Sequence, residues 1–133
     1  MRVVWTDTNV LLRFLTKEPR SQRRRADALL RQASEGKLVA HVPAVVVAEV
    51  AAILHHSLRR PLDEVARVLT GLLVSEGIEV EDDAVLEALH LTETLKVDFV
   101  DAYVAVRARS AGDSIASFHV DFPKKLGVTP FPL

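Results

Sequence analysis

Along this chain, short unbroken apolar runs alternate with longer stretches in which apolar residues recur at helical spacing. Val3-Val4-Trp5 reads as a strand, and the stretch from Val10 to Leu15 as the helix that follows it. Glu18-Pro19 breaks that pattern, and Pro19 suits the first turn of a second helix reaching about Ser34, with Ala26, Leu29, Leu30 and Ala33 on its apolar side. Gly36 closes it, and Leu38 to Val42 predicts a second strand. Pro43 opens a third helix through Val45, Val46, Val50, Ile53 and Leu54; it is rich in β-branched residues but too long and too alanine-rich for a strand. A fourth helix starts at Pro61 or Leu62, and Ile78 to Val80 predicts a brief strand. Asp82 or Asp83 caps a fifth helix, and a sixth runs from Asp98 to about Gly112. Ser114 to Phe118 predicts a strand, with a last one at Val128-Thr129. Strands alternating with helices imply a mostly parallel sheet covered on both faces. No repeat, low-complexity segment or internal boundary divides residues 1–133, so a single α/β domain is expected.

Composition narrows the chemistry. Hydrophobic residues make up 49% and charged residues 26%, the balance of a folded domain. The absence of cysteine excludes disulfides, thiolate metal sites and Cys nucleophiles, and suits a reducing, cytoplasmic setting. Met1-Arg2 leads straight into the first strand without an apolar leader, so no targeting segment is expected. No apolar run approaches the roughly 20 residues that span a bilayer, so no membrane association is expected. The net charge is −1, yet Arg13, Lys17, Arg20, Arg23, Arg24, Arg25 and Arg31 gather early while Glu76, Glu79, Glu81, Asp82, Asp83 and Glu87 gather later. Twelve of the 17 cations are Arg, the better fork for phosphate, and Arg13, Arg20 and Arg24 are the RNA-binding candidates within that basic cluster. The same residues also suit a solvated helix face.

Four acidic positions stand out. Asp7 lies where the first strand ends and a helix begins, the sheet edge at which α/β proteins bind ligands; it equally suits a helix cap. Glu49 is the sole charge between Val45 and Leu54, and its helical neighbours Val45, Val46 and Ile53 are apolar. An unpaired carboxylate buried there costs several kcal/mol, on the order of a lost charge partner, so it is expected to meet a cation or to reach solvent at a helix edge. Asp98 and Asp101 open the sixth helix, either as a capping pair or as site residues. Asp98, Asp101, Ala105, Ala108 and Gly112 share a helical face whose small residues would let Asp101 press toward the interior. His119 and Asp121 follow the strand ending in Ser117-Phe118 and face the same sheet edge as Asp7, unless they belong to an ordinary polar loop. Carboxylates converging in one cleft repel unless a cation neutralises them. Oxygen donors without Cys suit Mg²⁺ or Mn²⁺ better than Zn²⁺, and the usual work of such ions is phosphoryl chemistry.

The run Asp7-Thr8-Asn9-Val10-Leu11-Leu12-Arg13-Phe14-Leu15, Glu49 in its apolar helix, Asp98-Phe99-Val100-Asp101-Ala102 and Ser117-Phe118 resemble the PIN-domain ribonucleases, and more narrowly the toxin subunit of VapBC-type toxin–antitoxin pairs. The resemblance spans essentially the whole chain. It implies a three-layer α/β/α PIN-like domain with a mostly parallel central sheet, and a Mg²⁺- or Mn²⁺-dependent endoribonuclease acting on single-stranded or looped RNA. Asp7, Glu49 and Asp101 match three acidic positions that would hold the metal and carry catalysis; Asn9 and Ser117 match polar positions beside them, and Asp98 supports them. It further implies a homodimer held inactive by a cognate antitoxin. Where the family usually has an acid after Ser/Thr-Phe, this chain has His119, with Asp121 two residues later. Either would complete the metal site, or a second metal position is weakened. Two other readings compete: an RNA- or protein-binding module that no longer cuts, and an Asp7-nucleophile phosphatase of the haloacid-dehalogenase kind, which would want a second Asp where Asn9 stands.

Overall fold

A computed structural model describes residues 1–16, 18–119 and 121–133. Lys17, counted above with the basic cluster, lies outside the described residues. The elements run β1 (Val3–Trp5), α1 (Thr8–Thr16), α2 (Arg20–Ser34), β2 (Val39–Val42), α3 (Ala44–Ala52) with a π-helical turn (Ile53–Ser57), α4 (Leu62–Leu73), β3 (Ile78–Val80), α5 (Asp83–Leu95), α6 (Phe99–Ala111), β4 (Ile115–Ala116), α7 (Asp121–Lys125) and β5 (Pro130–Phe131).

Every strand pairing is parallel. β2 is central, with Trp5 opposite His41 on one side and Val42 opposite Val80 on the other. Its middle position explains its burial: Ala40, His41 and Val42 are all inaccessible. Helices cover the sheet as the alternation predicts, α1 packing on α2 and α3, and α5 between α4 and α6. The result is the three-layer α/β/α fold, with a core of Leu11, Val42, Val47, Val50, Leu69, Leu89, Phe99 and Val106. No described helix is long and apolar enough to cross a membrane.

Parallel strands send their following segments out of the same edge, and three polar contacts fasten that edge. Buried Thr6 donates to the His41 carbonyl through both its N–H (2.9 Å) and its hydroxyl (3.1 Å), which fixes where Asp7 leaves the sheet. The Glu81 carboxylate, just past β3, accepts from the Ala44 N–H (3.2 Å) and so caps α3. Asp82 caps α5 through the Val85 N–H (3.3 Å) while accepting from the Tyr103 hydroxyl (2.8 Å), joining α5 to α6. The later acidic cluster is thus partly structural: Glu79 bonds His41 (2.6 Å) and Glu87 pairs with Arg109.

The structure corrects several expectations. Among the described residues the ladder divides into a three-stranded sheet and a separate β4–β5 pair. β4 stops at Ala116 because the Ser117 hydroxyl accepts the His119 N–H (3.0 Å) and turns the chain out of the sheet. β5 is Pro130–Phe131, not Val128-Thr129; Val128 instead packs into a small cluster with Ala105, Ile115 and Leu126. The stretch after Ser117 is not only loop, since Asp121 opens the short helix α7.

Candidate active site

Asp7 holds the position before α1 and accepts the Val10 N–H through Oδ1 (3.0 Å). It is therefore a helix cap, as one of the two readings predicts. Oδ2 has no protein partner among the described residues, and the side chain is exposed, so capping leaves one oxygen for a ligand. Asp7 and Asn9 line a cavity of about 450 Å³ between α1 and α2, with Val10, Arg13, Gln22, Arg25, Ala26 and Leu29. Arg13 is held there by Gln22 (2.6 Å). Arg20 and Arg24, the other two basic candidates, are exposed and line none of the cavities described here; Arg25, equally exposed, borders this one, which nothing in a run of three arginines announces. Arg23 serves the fold, bonding Asp27 (2.7 Å) and lying over the Phe14 ring (5.0 Å).

Glu49 follows the second of its two readings, a helix edge that reaches solvent. It is exposed on α3, beside Val45, which is 74% exposed. Its other helical neighbours, Val46 and Ile53, are half-buried against the core, while Val47 and Val50 lie within it. The Glu49 carboxylate makes no hydrogen bond or ion pair among the described residues, so a cation can reach it without displacing a protein partner.

Asp98 immediately precedes α6, yet its side chain makes no capping bond; only its carbonyl accepts the Ala102 N–H (3.0 Å). The capping reading of the Asp98/Asp101 pair is thereby set aside. Both aspartates line a cavity of about 130 Å³ with His55, His56 and Thr92. Asp101 is exposed rather than pressed inside; the small face behind it is buried at Ala102 and Ala105. Its carboxyl nonetheless titrates above the usual aspartate range, first because the cavity partly strips its water, then because of the Asp98 charge. The charge of His119 acts in the opposite sense. Asp121, the other candidate for that place, is exposed at the start of α7.

The raised Asp101 value has a consequence for stability. A carboxyl that holds its proton more tightly when folded contributes stability below the unfolded aspartate value, and loses it as pH rises through the folded one. With EDTA present, Asp101→Asn is therefore expected to melt slightly above the parent at neutral pH and level with it once the pH falls below the unfolded value. A thermal melt series at several pH values checks this; a variant that melts lower at neutral pH would refute it.

Asp7, Glu49 and Asp101 do not close into a cage. Among the described residues, the only three His or carboxylate side chains whose ligand atoms all lie within 4.8 Å of one another are His55, His56 and Asp98. Asp7, Glu49 and Asp101 nevertheless each keep an oxygen unengaged by protein, and all three ride on segments that follow strands or start helices. Oxygen-only donors, exposed and spaced, fit a hard divalent ion that retains much of its water. A further cavity, about 630 Å³ between α2 and α4, is lined by none of these acids.

A family model described as the PIN domain matches residues 4–125, and the chain belongs to that family. No curated protein and no solved structure matches it. PIN domains are in general metal-dependent nucleases.

Proposed function

We propose that this PIN-domain chain is a Mg²⁺- or Mn²⁺-dependent endoribonuclease, the toxin of a type II toxin–antitoxin pair. The observation that carries the reading is the set of Asp7, Glu49 and Asp101, each with a carboxylate oxygen unengaged by protein, on a chain whose family cleaves nucleic acid. A divalent ion bound there would supply charge neutralisation at the scissile phosphate and acidify a water. The chain's own residues do the rest. Asp7 is oriented by its cap bond, so its remaining oxygen points from a fixed backbone. A carboxylate of this set beside the attacking water takes its proton. Arg13 and Arg25, in the cavity beside Asp7, contact phosphates and set the register of the RNA. Asn9 and Ser117 flank the acids as polar neighbours. The motif resemblance further supports a cognate antitoxin covering this groove, a homodimer and a cytoplasmic setting.

The test is incubation of the purified chain with labelled RNA and Mn²⁺ or Mg²⁺. Cleavage that stops with EDTA and in the Asp101→Asn variant is expected. Cleavage indifferent to both would overturn the reading, and metal-independent RNA binding without cleavage would replace it with the binding module. Hydrolysis of phosphomonoesters through a covalent Asp7 adduct would instead mark a phosphatase.

His119 gives a separate prediction. In sequence it stands after Ser117-Phe118, where the resemblance leads one to expect an acid. His119→Asp is expected to match or exceed the parent rate, most clearly with Mg²⁺, which prefers oxygen donors. His119→Ala is expected to be slower by about 100-fold, the low end for one lost proton carrier. Equal rates for all three would place His119 outside the reaction.

A further inference from the structure

We propose that His55, His56 and Asp98 form a second metal site, which borders Asp101 but uses none of Asp7, Glu49 and Asp101 as a ligand, and which takes a borderline divalent ion of the Zn²⁺ class. The three side chains bring their ligand atoms within 4.8 Å of one another, and two imidazoles with one carboxylate and no thiolate suit Zn²⁺ over Mg²⁺.

Local structure explains how two consecutive histidines come to share a site. In an α-helix neighbours diverge around the axis, but α3 ends in the π-helical turn Ile53–Ser57, closed by the Leu58 N–H on the Ile53 carbonyl (3.0 Å). Such turns recur at functional sites because they re-aim side chains. Here the two rings meet edge to face, with centroids 4.6 Å apart.

The first histidine is already prepared as a ligand. His55 Nδ1 lies 2.8 Å from the Arg60 carbonyl, and a carbonyl only accepts. Nδ1 therefore carries the proton in the neutral ring, and Nε2 keeps its lone pair, the usual way a ligating imidazole is set. The loop that brings this carbonyl back costs strain: Arg59 adopts φ +57°, a left-handed conformation that side chains seldom take.

The other two ligands are equally uncommitted. Asp98 is released from capping, and its Oδ1 lies 3.8 Å from His56 Nε2, too far for a hydrogen bond. Independently, Thr92 is only 1% exposed, its hydroxyl has no partner among the described residues, and it lines the same cavity as the three ligands. A buried hydroxyl without a partner is uncommon. Three protein ligands leave a fourth position for water, and such a water would give Thr92 the partner it lacks. An ion here ties the end of α3 to the start of α6, the helices bearing Glu49 and Asp101. The site does not depend on the chain cutting RNA.

The experiment is Zn²⁺ titration of the tag-free full chain by calorimetry, with Co²⁺ as a visible-absorbing substitute and no RNA present. One equivalent is expected to bind, with a Co²⁺ absorption band of low-symmetry nitrogen and oxygen coordination. His55→Ala and His56→Ala should each weaken binding beyond the roughly 10–100-fold lost with an outer-shell partner. His56→Cys, a donor that Zn²⁺ accepts, should restore it, which separates ligation from folding. Asp7→Asn and Glu49→Gln should leave it unchanged. Undiminished Zn²⁺ affinity in both histidine variants, or its loss in Asp7→Asn, would overturn the site. RNA cleavage plays no part in either outcome, so the nuclease reading and this site stand or fall separately.

Discussion

Replacing Asp7 with Asn is expected to lower RNA cleavage by about three orders of magnitude while leaving the chain folded. The side chain has two duties on two oxygens. One accepts the Val10 N–H at the start of α1, and an Asn oxygen does this as well as an Asp oxygen. The other has no partner among the described residues, and Asn supplies only a neutral amide there, a poor match for a hard cation. The lost negative charge at a helix N-terminus costs about 0.3–1 kcal/mol, so a small fall in Tm is expected. Asp7→Ala removes both duties: activity should fall as far, and stability by a further 1 kcal/mol or so, the usual cost of losing a cap. Cleavage rates in Mn²⁺ and thermal melts of the three proteins together decide the matter. If the Asn variant cleaves at the parent rate and only the Ala variant is impaired, Asp7 is a cap and nothing more.

That experiment also shows why Asp7 was hard to read from sequence. A strand-to-helix junction asks for a capping acid and a metal site asks for a free one, and a single residue satisfies both. The order of elements was legible because apolar spacing is a local property: helices at Arg20–Ser34 and Leu62–Leu73 and the strand at Ile78–Val80 follow directly from it. What escaped depended on partners distant in sequence or on side chains bonding their own backbone. The Ser117 hydroxyl cut β4 short, and no apolar pattern announces that. Two readings of Glu49 stayed open, a cation partner or a solvent-facing helix edge, since a helix with apolar residues on every side does not reveal which side meets the core; Val45 and Glu49 face out together. The later acids resembled a single-signed patch, yet Glu81 and Asp82 were helix caps, one of them for a helix 37 residues away in sequence. His55-His56 carried a visible signal, two imidazoles at the end of an apolar helix, but on regular helix geometry they would point apart. Only the π-helical turn brings them together.

The largest expected loss of stability from a single methyl group falls at Gly77. A Cβ there would lie 2.2 Å from the Ala33 carbonyl oxygen and 2.9 Å from its Cβ, and φ is +84°. The end of α2 thus rests directly on the chain entering β3, and neither backbone can yield without moving an element. Left-handed strain costs about 1–2 kcal/mol and forced repacking about 1–3 more, so Gly77→Ala is expected to lose about 2–5 kcal/mol. Against a total of about 5–15 kcal/mol for a typical domain, that is a large fraction. Gly36→Ala is the control: φ is +78° but nothing lies within 4 Å, so only the conformational cost of about 1–2 kcal/mol remains. Urea denaturation midpoints of the two variants separate strain from collision. The site should suffer with the fold, because the Gly77 carbonyl accepts the Ala40 N–H (2.9 Å) and sets the β2–β3 register. Through that register Glu79 reaches His41 and Glu81 caps α3, the helix that presents Glu49. Gly77→Ala should therefore lose cleavage in proportion to its unfolded fraction, and regain much of it at lower temperature, unlike Asp7→Asn. Midpoints for Gly77→Ala and Gly36→Ala that coincide would mean that α2 and β3 do not touch as closely as the 2.2 Å approach requires.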